Sequence, residues 1–228
     1  MNTDAKTPFE IIYEDNHLLC VIKPAGVVSE ADEYHKVALD TLLKDFIKKR
    51  DKKPGNVFLT AIHRLDKPAS GLVIFAKTSK ALERMHKLMQ DRLIDKTYIA
   101  CLEKIPPFET GHLCHYLKQG LHKAEVVDPK IGKKAELDYK IIGKKDRFVW
   151  VEIKLHTGRY HQIRAQFAAI GCPILGDKRY GSNYQLPHDA IALIHTRSSF
   201  IHPVKGDAIV LEHPHGTFEK LEDKLFSS

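Results

Sequence analysis

Long apolar runs are missing from this chain: nothing in its 228 residues approaches the roughly 20 apolar residues that cross a bilayer, so no membrane helix is expected. Cysteine is scarce and scattered. Cys20, Cys101, Cys114 and Cys172 form no CxxC pair, which argues against a disulfide framework and a cysteine zinc site and leaves reduced, mostly buried thiols. His112, Cys114 and His115 bring three metal-binding residue types together, yet no fourth group stands at a spacing that completes a set. They are read as ordinary strand and loop residues, and no metal is expected. Repeats, low-complexity tracts and linkers are also absent. The opening MNTDAKTPFE carries acids and a proline where a secretory signal needs an apolar core. The expectation is therefore a cytoplasmic, monomeric chain, a single domain over residues 1–228 with no separate module ahead of Phe9.

A hydrophobic content of 43% with 29% charged residues is that of an ordinary globular protein and leaves no case for disorder or a fibre. The formal charge of +7 points to a polyanionic partner, because Lys and Arg on phosphates release counterions and supply most non-specific nucleic-acid affinity. The densest run, KKRDKK from Lys48 to Lys53, reads instead as a helix end and the loop after it.

Strand and helix periods divide the chain. Phe9 to Tyr13 and His17 to Ile22 read as a hairpin broken at Glu14 to Asn16 and closed by Pro24 and Gly26. From Val37 to Arg50, Leu39, Leu42, Leu43, Phe46 and Ile47 recur at helical spacing, with bases at the end that suits the dipole. Val57 to Ile62 leads into HRLDKPASG, a loop, and Leu72 to Ala76 reads as a buried strand. A second helix from Ser79 places Leu82, Met85, Met89 and Leu93 on one face, its methionines serving as core filler, before a strand at Thr97 to Leu102. Alternation at 135–141 and 149–155 predicts two amphipathic strands around a turn near Lys144 to Asp146. A third helix carries Ile163, Phe167 and Ile170 and stops at Gly171 and Pro173. Late strands are expected at Ile191 to Ile194 and Ile209 to Leu211. Hairpins with a few inserted helices give an α+β class with a mixed, largely antiparallel sheet.

Two segments carry chemistry. In HRLD, Asp66 follows a buried strand and precedes a glycine turn, with Arg64 and Lys67 beside it to keep the carboxylate ionised; from those four residues alone, a surface turn whose Asp caps the local backbone is the better reading. Its likeness to a kinase HRD loop fails on the inserted Leu65 and the missing Asn and DFG. The second segment, TGRYHQIRAQF at 157–167, gathers Arg159, His161, Gln162 and Arg164 at a helix start. Arg164 stands at the rim of the buried face, from which an arginine can reach into a cleft and pair with a carboxylate; for Arg159 and His161 a solvated helix start is the alternative.

The blocks YEDNHLLCVIKPAG, HRLDKPASGLVIFAK, KTYIACL, TGRYHQIRAQF, GCPILGDKRYG and IALIHT, in this order and nearly end to end, resemble the RluA-type RNA pseudouridine synthases. The resemblance implies the pseudouridine synthase fold, a curved mixed sheet with flanking helices and a central active-site cleft. It also implies isomerisation of a uridine in structured RNA, a stem-loop of ribosomal or transfer RNA. It places the catalytic aspartate at Asp66, the base-stacking tyrosine at Tyr98 and the arginine partner of the aspartate at Arg164. An aliphatic contact to the base falls on Leu193 or its neighbour Ile194, with Leu193 preferred, and Arg64 holds the flipped nucleotide. His63, Arg159 and His161 join it as RNA contacts. Three positions depart from the family pattern, Ala69, Tyr160 and Gln166, and none touches the three catalytic candidates.

Such a reaction breaks the N1 to C1′ bond, turns the uracil and rejoins it through C5, so a carboxylate suffices and no cofactor is expected. Asp66 can attack C1′ or remove a sugar proton, and the sequence leaves both routes open. The lysines of 118–134 are candidates for clamping the RNA backbone. The competing reading is a non-catalytic RNA-binding or RNA-folding protein on the same fold.

Overall fold

A computed structural model describes residues 9–217 together with 220 and 221; the opening segment 1–8, read above for its lack of a leader, lies outside the described residues. The chain begins with the expected hairpin, β1 (Glu10–Glu14) against β2 (Leu18–Lys23). Its turn is set by Asp15, whose Oδ1 accepts from the backbone N–H groups of His17 and Leu18 at 2.8 Å each. Helix α1 (Leu39–Arg50) buries Leu39, Leu43 and Ile47, with Asp40 in its first turn and Lys48, Lys49 and Arg50 in its last, as the helix dipole favours. It starts two residues later than the periodicity suggests, because Ala38 is extended and Val37 is 73% exposed.

Strands β3 (Thr60–Ala61) and β4 (Ser70–Ala76) flank the HRLD loop. Helix α2 (Ser79–Gln90) is capped by Thr78, whose hydroxyl accepts from the N–H of Ala81. Its expected apolar face breaks beyond Met85. The helix ends at Gln90, Arg92 takes a left-handed φ of +58°, and Leu93 is 58% exposed. Met89, half-buried, touches the core on one side and lines an open cleft on the other, so it is only in part core filler.

Then follow β5 (Asp95–Leu102), β6 (Thr110–Gln119), β7 (Ala124–Val126), β8 (Lys133–Lys145), β9 (Phe148–Leu155), α3 (Gln162–Ala169), β10 (Leu193–Ile201) and β11 (Ala208–Glu212). The alternating segments at 135–141 and 149–155 form the β8 and β9 hairpin. The strand expected at Ile191 to Ile194 begins at Leu193 and runs much further. One mixed sheet holds these strands in the order β1-β2-β4-β10-β5-β9-β8-β6-β7, with β3 added to β4 and β11 to β10. Its pairings are antiparallel except where β4 meets β10, so the fold is α+β as the sequence implied.

Strands β2 and β4 are covered on both faces, which explains their continuous apolar runs. Val73 and Phe75 face the main core with α1, while Leu72, Ile74 and Ala76 face a second core with α2. The β4 to β10 contact depends on Gly71. At φ +115°, a Cβ there would lie 2.4 Å from the carbonyl oxygen of His195. That approach puts His195 in the sheet interior, where its Nδ1 donates to the carbonyl of Leu72 at 2.8 Å and its Nε2 is 3.2 Å from the Ser198 hydroxyl. Burial pushes the His195 imidazole down to about 4 and that of neighbouring His63 well below its ordinary value.

Gly71→Ala is expected to destabilise the fold by about 2 kcal/mol or more, from left-handed backbone strain and the clash with β10; an unchanged urea midpoint would contradict this. Because these imidazoles bind protons more weakly folded than unfolded, stability should rise with pH between about 4 and 6.5. The urea midpoint should thus fall on going from pH 7 to pH 5, and less so in His195→Gln; equal slopes in the two proteins would refute the assignment.

Candidate active site

The loop 62–69 is held from both sides before any catalytic group is considered. Ser29 exchanges two hydrogen bonds with Leu65, its Oγ accepting from the N–H at 3.0 Å and donating to the carbonyl at 3.2 Å. The N–H of Gly26 donates to the carbonyl of Lys67 at 2.8 Å, and the N–H of Ala69 to that of Asp66 at 3.0 Å. Lys23 is fully buried, and its ammonium donates to the carbonyls of Pro24, Val27 and Lys67. Burial pushes its pKa down to about 7, against the pull of the Asp66 carboxylate. A buried cation that ties three carbonyls together fixes the loop's shape at the cost of its own desolvation.

Asp66 projects from this loop into the cleft, its side chain 24% exposed. Its Oδ2 accepts from Arg164 Nη1 at 2.9 Å and lies 3.7 Å from His161 Nε2. Arg164 comes from the first turn of α3 and is itself buried. Its Nε and Nη2 donate to the two oxygens of Asp177 at 2.7 and 2.9 Å, and its guanidinium stands 5.0 Å from the centroid of the Tyr180 ring. Burial alone would lower the arginine, but the hydrogen bonds and charge of Asp177, with Asp66 adding to them, outweigh it and raise its pKa. His161 adopts a left-handed conformation, φ +51°, at the helix start, a cost that non-glycine residues bear where the surroundings enforce it. Its Nδ1 is 3.1 Å from the Tyr180 hydroxyl, and burial pushes it down to about 4 despite the carboxylates nearby.

Tyr98 lies on β5 and is buried. Its ring stacks on His195 with centroids 4.5 Å apart and planes 16° apart, and His63 meets His195 edge-on at 5.2 Å. Burial first, and then the Asp66 charge, push the phenol pKa up, so the hydroxyl keeps its proton at neutral pH. Leu193 lines the cleft and Ile194 does not, since alternate residues of β10 face opposite ways. Arg64 is exposed at the cleft rim. The Nε2 of His63 accepts from the N–H of Ile74 at 3.4 Å, so this imidazole braces the wall behind Tyr98. Arg159 donates its Nε to the carbonyl of Lys134 at 3.0 Å and stands at the opposite lip.

The expected residues thus converge on one cleft of about 1760 Å³, above the roughly 300–1,000 Å³ of small-molecule pockets and suited to a segment of polymer. Sequence reasoning gave no role to Asp177 and Tyr180, although both stand in GCPILGDKRYG; an acid directly after the apolar and glycine run 174–176 was the available signal. It also passed over Lys23, a charge ending an apolar strand. Gln166 is fully buried and donates to the carbonyls of Leu113 and Ala135, which makes it a brace between strands.

His112 and Cys114 project from β6 on the face away from His115, and His112 meets partners no spacing could reveal. His112 Nδ1 is 2.7 Å from Asp138 Oδ1 and His156 Nε2 is 2.6 Å from Asp138 Oδ2. These side chains, from β6, β8 and the residue just after β9, therefore have ligand-type atoms within 4.8 Å of one another. The expectation that nothing converges with His112 is corrected accordingly, although the distances are those of imidazoles bonded to a shared carboxylate.

Residues 17–169 match the family model described as RNA pseudouridylate synthase. The chain is 32% identical over 221 residues to the ribosomal large subunit pseudouridine synthase D of Zymomonas mobilis, covering 91% of this chain and 69% of that one. It is 30% identical to the ribosomal large subunit pseudouridine synthase C of Rickettsia prowazekii, covering 89% and 66%. It spans about two thirds of the length of these curated relatives. The fold superposes on human RNA pseudouridylate synthase domain containing 4 with a TM-score of 0.77 at 18% identity, covering 95% of this chain and 92% of that one. For human RNA pseudouridylate synthase domain containing 1 the values are 0.73, 20%, 100% and 98%. With a family model over more than half its length and relatives at 30% identity or above over most of it, the chain belongs to the RluA-type RNA pseudouridine synthases.

Proposed function

We propose that this chain isomerises a uridine of ribosomal RNA to pseudouridine, with Asp66 as the catalytic carboxylate. The observation that carries the reading is the ion pair of Asp66 with the buried Arg164, beside the buried ring of Tyr98 in one cleft. Its relatives include ribosomal large subunit pseudouridine synthases, which favours ribosomal RNA over other RNAs as the substrate class.

The target nucleotide leaves its stack to enter the cleft, as enzymes acting on a base require. Arg164 pairs with Asp66 and directs it at the ribose, where the carboxylate either attacks C1′ or takes a sugar proton while the N1 to C1′ bond breaks. The freed uracil then needs a surface on which to turn. Tyr98 offers an aromatic face without a competing charge, and Leu193 an apolar one. Once C5 is bonded to C1′, the C5 proton must leave and N1, which departed with the bonding pair, must gain one; the Tyr98 oxygen can accept the first while the phenol's own hydrogen passes through solvent to N1. The lysines of 118–134 and Arg64 supply charge for the RNA backbone around the cleft.

With ribosomal RNA transcripts, Asp66→Asn is expected to lower pseudouridine formation by roughly 10³-fold or more while RNA affinity, read by filter binding, stays within a few-fold. Full conversion by Asp66→Asn would transfer the chemistry to another group. For Tyr98→Phe, which keeps the ring and loses the hydroxyl, kcat should fall by roughly 10²-fold with little change in KM. An unchanged kcat would reduce the tyrosine to a stacking face.

A further inference from the structure

Lys96 is a buried charged group of the cleft wall to which the proposed reaction gives no task. It is 9% exposed, two residues before Tyr98 on β5 and therefore on the same face of that strand. The contact of its ammonium is the Met89 sulfur at 4.0 Å. A Cβ on Gly158 would lie 3.6 Å from Nζ, so the missing side chain there leaves space beside the ammonium. Among the described residues, no carboxylate pairs with it. His63 and His195 are neutral imidazoles whose protonation Lys96 itself opposes. Arg159 and Arg92 carry positive charge along the adjoining groove; its Glu136 carboxylate pairs with Lys134 at 2.7 Å, and Asp95, next in sequence, is exposed and 3.5 Å from the Ser199 hydroxyl. Burial lowers the lysine's pKa, with no charge partner offsetting it.

Lys23, the other buried lysine of the site, satisfies its donors on three carbonyls. Lys96 has no such set, and a buried cation is costly unless a partner compensates it. It also stands where the cleft meets a groove of about 560 Å³, the two sharing Met89, Lys96, Leu155, Gly158 and Arg159. With a base on Tyr98 and its ribose at Asp66, the backbone of the same RNA strand must leave the cleft, and this junction offers it a cation.

We propose that Lys96 anchors a phosphodiester next to the target uridine, its ammonium pairing with a phosphate oxygen and thereby positioning the ribose against Asp66. The inference rests on the functional reading above. It makes Lys96 a positioning residue whose partner arrives with the substrate, in a site where a charge-assisted bond is stronger than in water.

The test is a double comparison on an RNA fragment spanning the modified uridine, with the flanking phosphates replaced one at a time by neutral methylphosphonates. Wild type and Lys96→Met are compared for affinity and for KM and kcat. For one of the flanking positions, the neutral linkage should weaken wild-type binding roughly tenfold or more and leave Lys96→Met almost unaffected. The salt slope of Lys96→Met binding should also be shallower by about 0.7, one single-strand phosphate contact. Equal penalties for wild type and variant at every position would overturn the proposal while the functional reading stands. Should Lys96→Met fail to fold, the wild-type comparison decides, and indifference to every neutral linkage overturns it. Absence of pseudouridine from all ribosomal RNA offered would instead overturn the functional reading, and this one with it.

Discussion

Arg164 is shared between two carboxylates, and the geometry of the site follows from that sharing. Asp177 takes the Nε and Nη2 side of the guanidinium, which leaves Nη1 directed at Asp66. An arginine held in this forked way cannot rotate without abandoning a buried acid, and breaking a buried pair costs roughly 3–5 kcal/mol. Tyr180 closes one face of the guanidinium, while its hydroxyl accepts from the N–H of Ala124 at 2.6 Å and so ties the arrangement to β7. The position of the carboxylate on the loop before β4 is thus decided by α3 and by residues 174–182. The Asp177 loop is fixed in turn by Ser182, whose hydroxyl accepts from the N–H of Gly176 and donates to Glu103.

A second constraint acts from behind. Lys23, Gly26 and Ser29 grip the backbone of 65–67, so Asp66 is held both through its main chain and through its side chain. Catalysis by positioning asks for this kind of rigidity, since the reacting atoms gain only when geometry is fixed before the substrate arrives. The same economy is visible at Tyr98, whose ring rests on His195, which Gly71 allows into the sheet. One glycine, one imidazole and one phenol form a stack from the sheet interior to the cleft.

Local pattern made much of this legible. The periods of α1 and α3 and the alternation of β8 and β9 announced those elements, and the HRLD and TGRYHQIRAQF segments combined charge with an apolar frame, but it was their resemblance to the family's blocks that marked them as the two halves of the site. What stayed hidden was pairwise and long-range. Asp177 looks like a loop acid until Arg164 is placed against it. Lys23 looks like a strand end until the three carbonyls gather round it. His112 lacked partners in sequence because Asp138 comes from the neighbouring strand β8 and His156 from just beyond the end of β9. The end of α2 was misjudged for another reason: the apolar spacing runs on to Leu93, but the backbone turns left-handed at Arg92 and releases that side chain to solvent. Leu193 and Ile194 could be told apart only by strand register.

The most direct test is nucleotide-resolution mapping of pseudouridine in cellular RNA from a strain lacking this chain, complemented with either the wild type or Asp66→Asn. The account predicts that a ribosomal RNA site disappears on deletion and returns with the wild type alone. A map unchanged by deletion, or restored equally by both chains, would contradict it.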